Sequence, residues 1–205
     1  MEQIPEEKSM VLKGKSIVLI LLVVFFLGFQ AELQPFLLAG YALVSQFIPL
    51  SIKAEQDHIQ EVFPEADAFS SKEGNPPYYK AYKTDVQSNL RTLVGLVFFT
   101  TDVEPRERGY EGPINIAVGV SLQGTITRIK VVAHREPYGY FSVDRAKFAE
   151  QFRGKSILDR FRLGKDIDAV SRATMSIGTA SRSIRKGARR VMKHHLAQEG
   201  GDREP

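Results

Sequence analysis

Ile114-Asn115-Ile116-Ala117-Val118-Gly119-Val120-Ser121-Leu122 sets a branched apolar residue at every second position and a small or polar one between. A period of two marks a β-strand, because successive side chains leave the pleat on opposite faces. One face is therefore core. The other carries Asn115, Ala117, Gly119 and Ser121, and reads equally as a solvated face or as a floor where a planar ligand approaches the backbone. Gln123-Gly124 turns the chain into a second strand over Thr125 to Ala133, an antiparallel hairpin, and the Val-, Leu- and Phe-rich run from Leu93 to Thr100 supplies a strand before it.

Downstream the period changes to that of helices. The loop His134-Arg135-Glu136-Pro137-Tyr138-Gly139-Tyr140-Phe141 leaves the hairpin, stiffened by Pro and Gly and rich in aromatic rings. Ser142 reads as the N-cap of a helix bearing Phe148 and Phe152, with Gly154 placed to end it. Lys155 to Lys165 is a basic connector anchored by Ile157, Leu158, Phe161 and Leu163, and its charge reads first as a solvated face. A final helix is predicted from about Ser176 to Leu196. Its Ile177, Ala180, Ile184, Ala188 and Val191 form an apolar stripe for packing on a sheet. The opposite face carries Arg182, Arg185, Lys186, Arg189, Arg190 and Lys193 with no acid among them, and docking on a partner or on anionic lipid is its expected role. Strands followed by helices make an α+β domain, an antiparallel sheet packed with helices.

Between connector and helix lies Asp168-Ala169-Val170-Ser171-Arg172-Ala173-Thr174. A hydroxyl there stands beside the positive end of a helix dipole, a natural seat for a phosphate ester; the plain alternative is an N-cap region with Ser171 or Thr174 as the cap. The pattern resembles the Asp-x-x-(Ser/Thr)-Gly-Ala-Thr motif of the FMN-binding domain family, which includes the flavin-carrying subunits of Rnf and Nqr complexes and the nitrous-oxide-reduction regulators. The resemblance implies FMN carried as a phosphoester on Thr174, with Asp168, Ser171 and Ala173 serving recognition or fit. Arg172 departs from the family's usual glycine, either to clamp the phosphate or to hinder the flavin transferase that the family uses. A second match is the loop that in the family lies over the flavin ring. Its counterparts here are His134, Glu136 and Pro137, with Tyr138, Gly139 and Tyr140 where family members vary. Phe63-Pro64-Glu65-Ala66 and the cluster Tyr78 to Tyr82 are similar to the family's entry segment, although these tyrosines read first as cover for a sheet edge. The likeness spans roughly residues 60 to 195.

The composition is compatible with this reading. The 205 residues contain no cysteine, which excludes disulfides, thiolate nucleophiles and Cys-ligated clusters, so redox chemistry requires a borrowed cofactor. His134, alone beside Arg135 and Glu136, reads as a hydrogen-bonded loop residue and not a metal ligand. No catalytic triad, Walker loop or dinucleotide fingerprint is present. The net charge of +4 is uneven: residues 145–195 hold 14 Lys and Arg against 4 Asp and Glu, while residues 51–144 hold 10 against 13.

The N-terminal quarter is apolar. Ile17 to Phe29 is uninterrupted, and with snorkelling Lys13 and Lys15 it reads as one membrane span, its 13 residues covering only about 20 Å of helix. The alternative, a cleaved signal peptide, has a poor cleavage site at Phe29 and Ala31. Lysines precede the span and none follows until Lys53, which places the N-terminus in the cytoplasm and the domain outside it, in the periplasm or its equivalent. Phe36 to Leu50 reads as a membrane-proximal helix or a partner surface, not a second crossing. The expected organisation is an anchor over 1–34, a helix and connector over 35–60, an FMN-binding-like domain over 61–196 and a flexible tail over 197–205.

The expected function is that of a single-pass membrane flavoprotein subunit, relaying electrons through FMN within a larger membrane redox complex and not acting as a stand-alone enzyme. Its partners would be the other subunits, a flavin transferase and the bilayer, with no nucleic acid. A different reading is a scaffold subunit that kept the fold and lost the flavin.

Overall fold

The structure, a computed structural model, describes residues 53–201. The expected anchor over 1–34 and the segment over 36–50 lie outside the described residues. Among the described residues no helix is long and apolar enough to cross a membrane.

Five antiparallel strands form a sheet in sequence order: β1 (Ala68–Phe69), β2 (Tyr79–Thr84), β3 (Arg91–Phe99), β4 (Asn115–Ser121) and β5 (Ile126–Ala133). A helix, α1, covers residues 53–62, and a short α2 (Thr100–Val103) follows β3 directly. After β5 come a 3-10 turn (Gly139–Phe141), α3 (Ala146–Glu150) and a long α4 (Thr174–Gly201). The α+β class and the antiparallel pairing agree with the sequence. Element ends differ. The last helix begins at Thr174, two residues earlier than the expected start at Ser176, and runs to Gly201, so most of the expected tail is helical. The α3 N-cap position is Arg145, while Ser142 donates its hydroxyl to the Tyr138 carbonyl at 2.7 Å and closes the preceding turn.

The alternation of β4 separates two cores. Ile116, Val118 and Val120 join Leu96 and Phe98 against Ile177, Ala180, Ile184, Ala188 and Val191 of α4, with Phe148, Phe152 and Phe161 closing the end. Each such side chain contributes about 1.5–3 kcal/mol by leaving water. Gly187 has no side chain because the ring of Phe98 occupies that place.

The other face is neither a solvated face nor a ligand floor. It receives α1: Ile59, Val62 and Phe63 pack with Ala66, Ala81, Val97 and Ala117. A Cβ at Gly119 would meet the Val62 carbonyl oxygen at 2.5 Å, and one at Gly95 would press on the Phe63 ring. The small residues of β3 and β4 are the imprint of the chain's own helix. Two polar ties hold it there. Lys72 bridges Glu55 at 2.8 Å and Asp102 at 3.0 Å. The Tyr79 hydroxyl donates to Glu55 at 2.6 Å; burial, together with that carboxylate, pushes Tyr79 up to about 12. Tyr78 is fully buried, its ring edge-on to His194 and His195, so both tyrosines serve packing, within the two cores and not over a sheet edge.

The basic face of α4 is largely engaged by the protein itself. Arg189 donates to the carbonyls of Ile157 at 2.6 Å and Leu158 at 2.7 Å, and Arg185 to that of Arg160 at 3.2 Å. Glu107 takes both Arg182 and Lys186, and Arg190 reaches the Val103 carbonyl at 2.9 Å. The guanidiniums clamp two connecting segments, 157–160 and 103–107, along the flanks of the helix. Of the four connector anchors, Ile157 and Phe161 are buried and Leu163 is partly buried, while Leu158 is 76% exposed.

Candidate functional site

The start of α4 has unusual chemistry. Ala173 takes the N-cap position, its carbonyl accepting the Ile177 N–H at 3.0 Å, yet its methyl cannot cap. Alanine is among the poorest N-caps. The N–H groups of Thr174, Met175 and Ser176 find no partner among the described residues, and the Thr174 hydroxyl makes only a 3.5 Å contact with the Val170 carbonyl. An exposed hydroxyl therefore sits on the positive end of a 28-residue helix with three free donors beside it.

Arg172, just before, has φ +68, the left-handed region in which glycine is at ease and a residue with a Cβ is strained by about 1–2 kcal/mol. The glycine usual in the family is thus explained by the backbone, and this chain keeps the conformation with an arginine. The Arg172 side chain is exposed and has no carboxylate partner among the described residues. Ser171 is exposed and Ala173 buried. Asp168 goes elsewhere: its N–H donates to Gln151 at 2.6 Å, and its carboxylate pairs with Lys147 at 2.9 Å on the α3 side.

The loop after β5 is brought to the same helix end by Glu136. Its side chain, 6% exposed, accepts the N–H of Tyr110 at 3.0 Å, the N–H of Glu111 at 3.1 Å and the hydroxyl of Ser176. Desolvation pushes this carboxyl up, but the Ser176 hydroxyl and the two backbone donors outweigh it and hold Glu136 below the ordinary glutamate value. A Cβ at Gly109 would strike the carboxylate. Glu136 is thus saturated by the chain itself and fastens three segments together.

His134 behaves as the sequence predicts, as a hydrogen-bonded loop residue. Nδ1 accepts the Glu136 N–H at 3.0 Å, which leaves the ring proton on Nε2, 2.6 Å from Asp144. Pro137 and Tyr138 project outward. Tyr138 is 41% and Tyr140 72% exposed, with Phe141 packed against both rings at 5.4 and 4.9 Å. Met175 is exposed as well. The site is an open one. Of these residues the cleft of about 540 Å³ between β5 and α3 includes only Asp144.

Residues 109–193 match the model of a family described as the FMN-binding domain. The match supports assigning this segment to the FMN-binding domain family. No curated protein matches the chain. The matched segment begins at Gly109, within the loop that Glu136 holds, and takes in β4, β5, α3 and most of α4. α1 and β1–β3 lie before the matched residues, yet β1–β3 complete the sheet and α1 covers one face of it. The match supports FMN as cofactor.

The residues present fit that group. Free helix N–H donors and a cationic side chain suit its phosphate, and a cluster of exposed rings suits its isoalloxazine. Ser176 and the backbone of 109–111 went unrecognised in the sequence. Gly109 and Gly112-Pro113 mark a loop, but nothing local says that a glutamate 25 residues onward will seize it.

Proposed function

We propose that this domain carries FMN as a phosphoester on Thr174 and serves as a membrane-anchored, electron-relaying subunit of a larger redox complex. The observation that carries the reading is the amino end of α4: a long helix with no side-chain cap, three unpartnered N–H groups and the Thr174 hydroxyl at its first position. FMN supplies reversible one- and two-electron chemistry at a site otherwise lacking redox groups. The rest falls to the chain. The helix end and Arg172 neutralise phosphate charge; the Tyr138–Phe141 loop offers rings for stacking; Glu136 fixes that loop against Ser176. Among the described residues the Thr174 hydroxyl contacts no basic side chain, so attachment needs a separate transferase. The apolar run Ile17 to Phe29 supports the membrane anchor, and the lysines before it support an extracytoplasmic domain.

Mass spectrometry of native protein tests the covalent link. The peptide containing Thr174 should carry the added mass of FMN less water, and Thr174→Val should remove it. Native material without that mass overturns the phosphoester. A flavin-free scaffold is the second reading, favoured by Arg172 in the glycine position. Absence of flavin absorbance from native protein would select it.

A further inference from the structure

β5 is an edge strand, and its beginning already accepts an added segment. Ile126 donates to the Lys155 carbonyl at 2.9 Å and accepts the Gly154 N–H at 2.8 Å, and Thr125 bridges Ser156. From Thr127 to Ala133 no backbone bond is made on that side among the described residues. An unpaired edge is a template for another strand.

A cleft of about 540 Å³ follows this free stretch. Arg128, Ile129, Lys130 and Val131 all line it. Ile129 belongs to the core on the α4 side, whereas Lys130 pairs with Ala117, whose side chain lies on the α1 side. Neighbours from opposite faces share a cleft only where it runs along the strand edge. α3 and its flanks form the far wall, with Arg145 and Arg153. A second cleft of about 380 Å³ also contains Arg128 and Arg153 and prolongs the groove toward Phe63 and Pro64.

The charge of the groove is unbalanced. Lys130 is matched by Glu61, and Asp144 is engaged by His134. Arg128, Arg145 and Arg153 have no carboxylate partner among the described residues, against the two unengaged carboxylates of Glu150 and, in the second cleft, Glu65. Charges on β5 alone would read as a guard against self-pairing. Here two of the three guanidiniums stand on the facing wall, where such a guard has no use.

We propose that this groove receives an extended acidic peptide segment of a partner protein, added to β5 along residues 127–133 with its carboxylates on Arg128, Arg145 and Arg153. The inference stands apart from flavin binding, since none of the groove residues belongs to the Thr174 seat.

The test is fluorescence anisotropy with the purified full chain and a labelled, capped peptide of alternating Glu and Val. Binding is expected to weaken with salt. It should weaken by about tenfold or more for a Lys-Val peptide, for the same peptide N-methylated along one edge, and for the Arg128→Glu, Arg153→Glu double variant. Hydrogen exchange should slow at amides within 127–133 when peptide is added. All three arginines are exposed, so the variant is expected to keep the wild-type circular dichroism. No binding, equal binding by the N-methylated peptide, equal binding by the double variant, or protection confined to other strands would each overturn the proposal.

Discussion

The carboxylate of Glu136 accepts the hydroxyl of Ser176, a residue 40 positions further along the chain, while also holding the amides of Tyr110 and Glu111. Loop, strand end and helix start thereby share one buried charge. Replacing it by Gln puts an amide donor among donors, and Glu136→Gln should cost about 1–3 kcal/mol in urea unfolding. The sign of the pH effect follows from the lowered carboxyl. Its contribution is fully present above the unfolded glutamate value, about 4.3, and is lost as pH falls through the lower folded value. The variant's unfolding midpoint should therefore fall less steeply than the wild type's below pH ~4.3.

Arg172→Gly should raise stability. The backbone keeps φ +68, and glycine relieves a strain of about 1–2 kcal/mol while giving back roughly 0.5–1 in chain entropy. A small upward shift of the urea midpoint is expected, and a drop would show that the arginine side chain holds something in place. The FMN content of the same variant separates the two roles of this residue. Lower content marks a phosphate clamp; higher content marks an obstruction.

Gly119→Ala probes the seat of α1. Its Cβ would enter the space of the Val62 carbonyl and the Thr127 hydroxyl, so a loss of about 1–3 kcal/mol is expected. Alanine at Gly178, where a Cβ would come no nearer than 3.4 Å to the Arg182 side chain, provides the control, and gains slightly from helix propensity. Equal stability of the two variants would remove α1 from the account of the β4 small-residue face.

His195 predicts a second acid-sensitive step. It is 2% exposed, packed edge-on to Tyr78, with Glu199 at 3.4 Å and Lys80, Glu73 and His194 around it. Desolvation lowers its pKa, and Glu199 only partly opposes this. The unfolded chain then binds the proton more readily, so stability is full above about pH 6.5 and declines as pH falls through the folded value. His195→Gln should flatten the thermal midpoint between pH 7 and 5. An unchanged slope would assign the acid loss to other groups.

The sheet was legible because the period of two is strict from Ile114 to Leu122 and the turn Gln123-Gly124 is unambiguous. The purpose of the small-residue face was not. Ala117 and Gly119 are small in order to admit Val62 and Phe63, and the partner lies some 55 residues away in a helix whose own sequence names no target. Within the site, Thr174 and the loop from His134 to Tyr138 could be read from local pattern, since a motif and a Pro–Gly loop are contiguous. The tie between them could not, because Ser176 looks like any helix-start serine until Glu136 is folded onto it. The internal bonds of the basic face of α4 were illegible for the same reason. Its partners are mostly backbone carbonyls, which every residue possesses and no sequence pattern advertises.

The position of α4 in the chain has a consequence in time. The sheet is a simple meander in which each strand pairs with the one before it, and it can zip up as the chain leaves the ribosome. Ser176 and the apolar stripe from Ile177 to Val191 emerge after all five strands, so Glu136 waits for its partner and one face of the sheet waits for its cover until α4 has followed. The amino end of α4, Thr174 included, therefore takes its final place only on a sheet that is already complete.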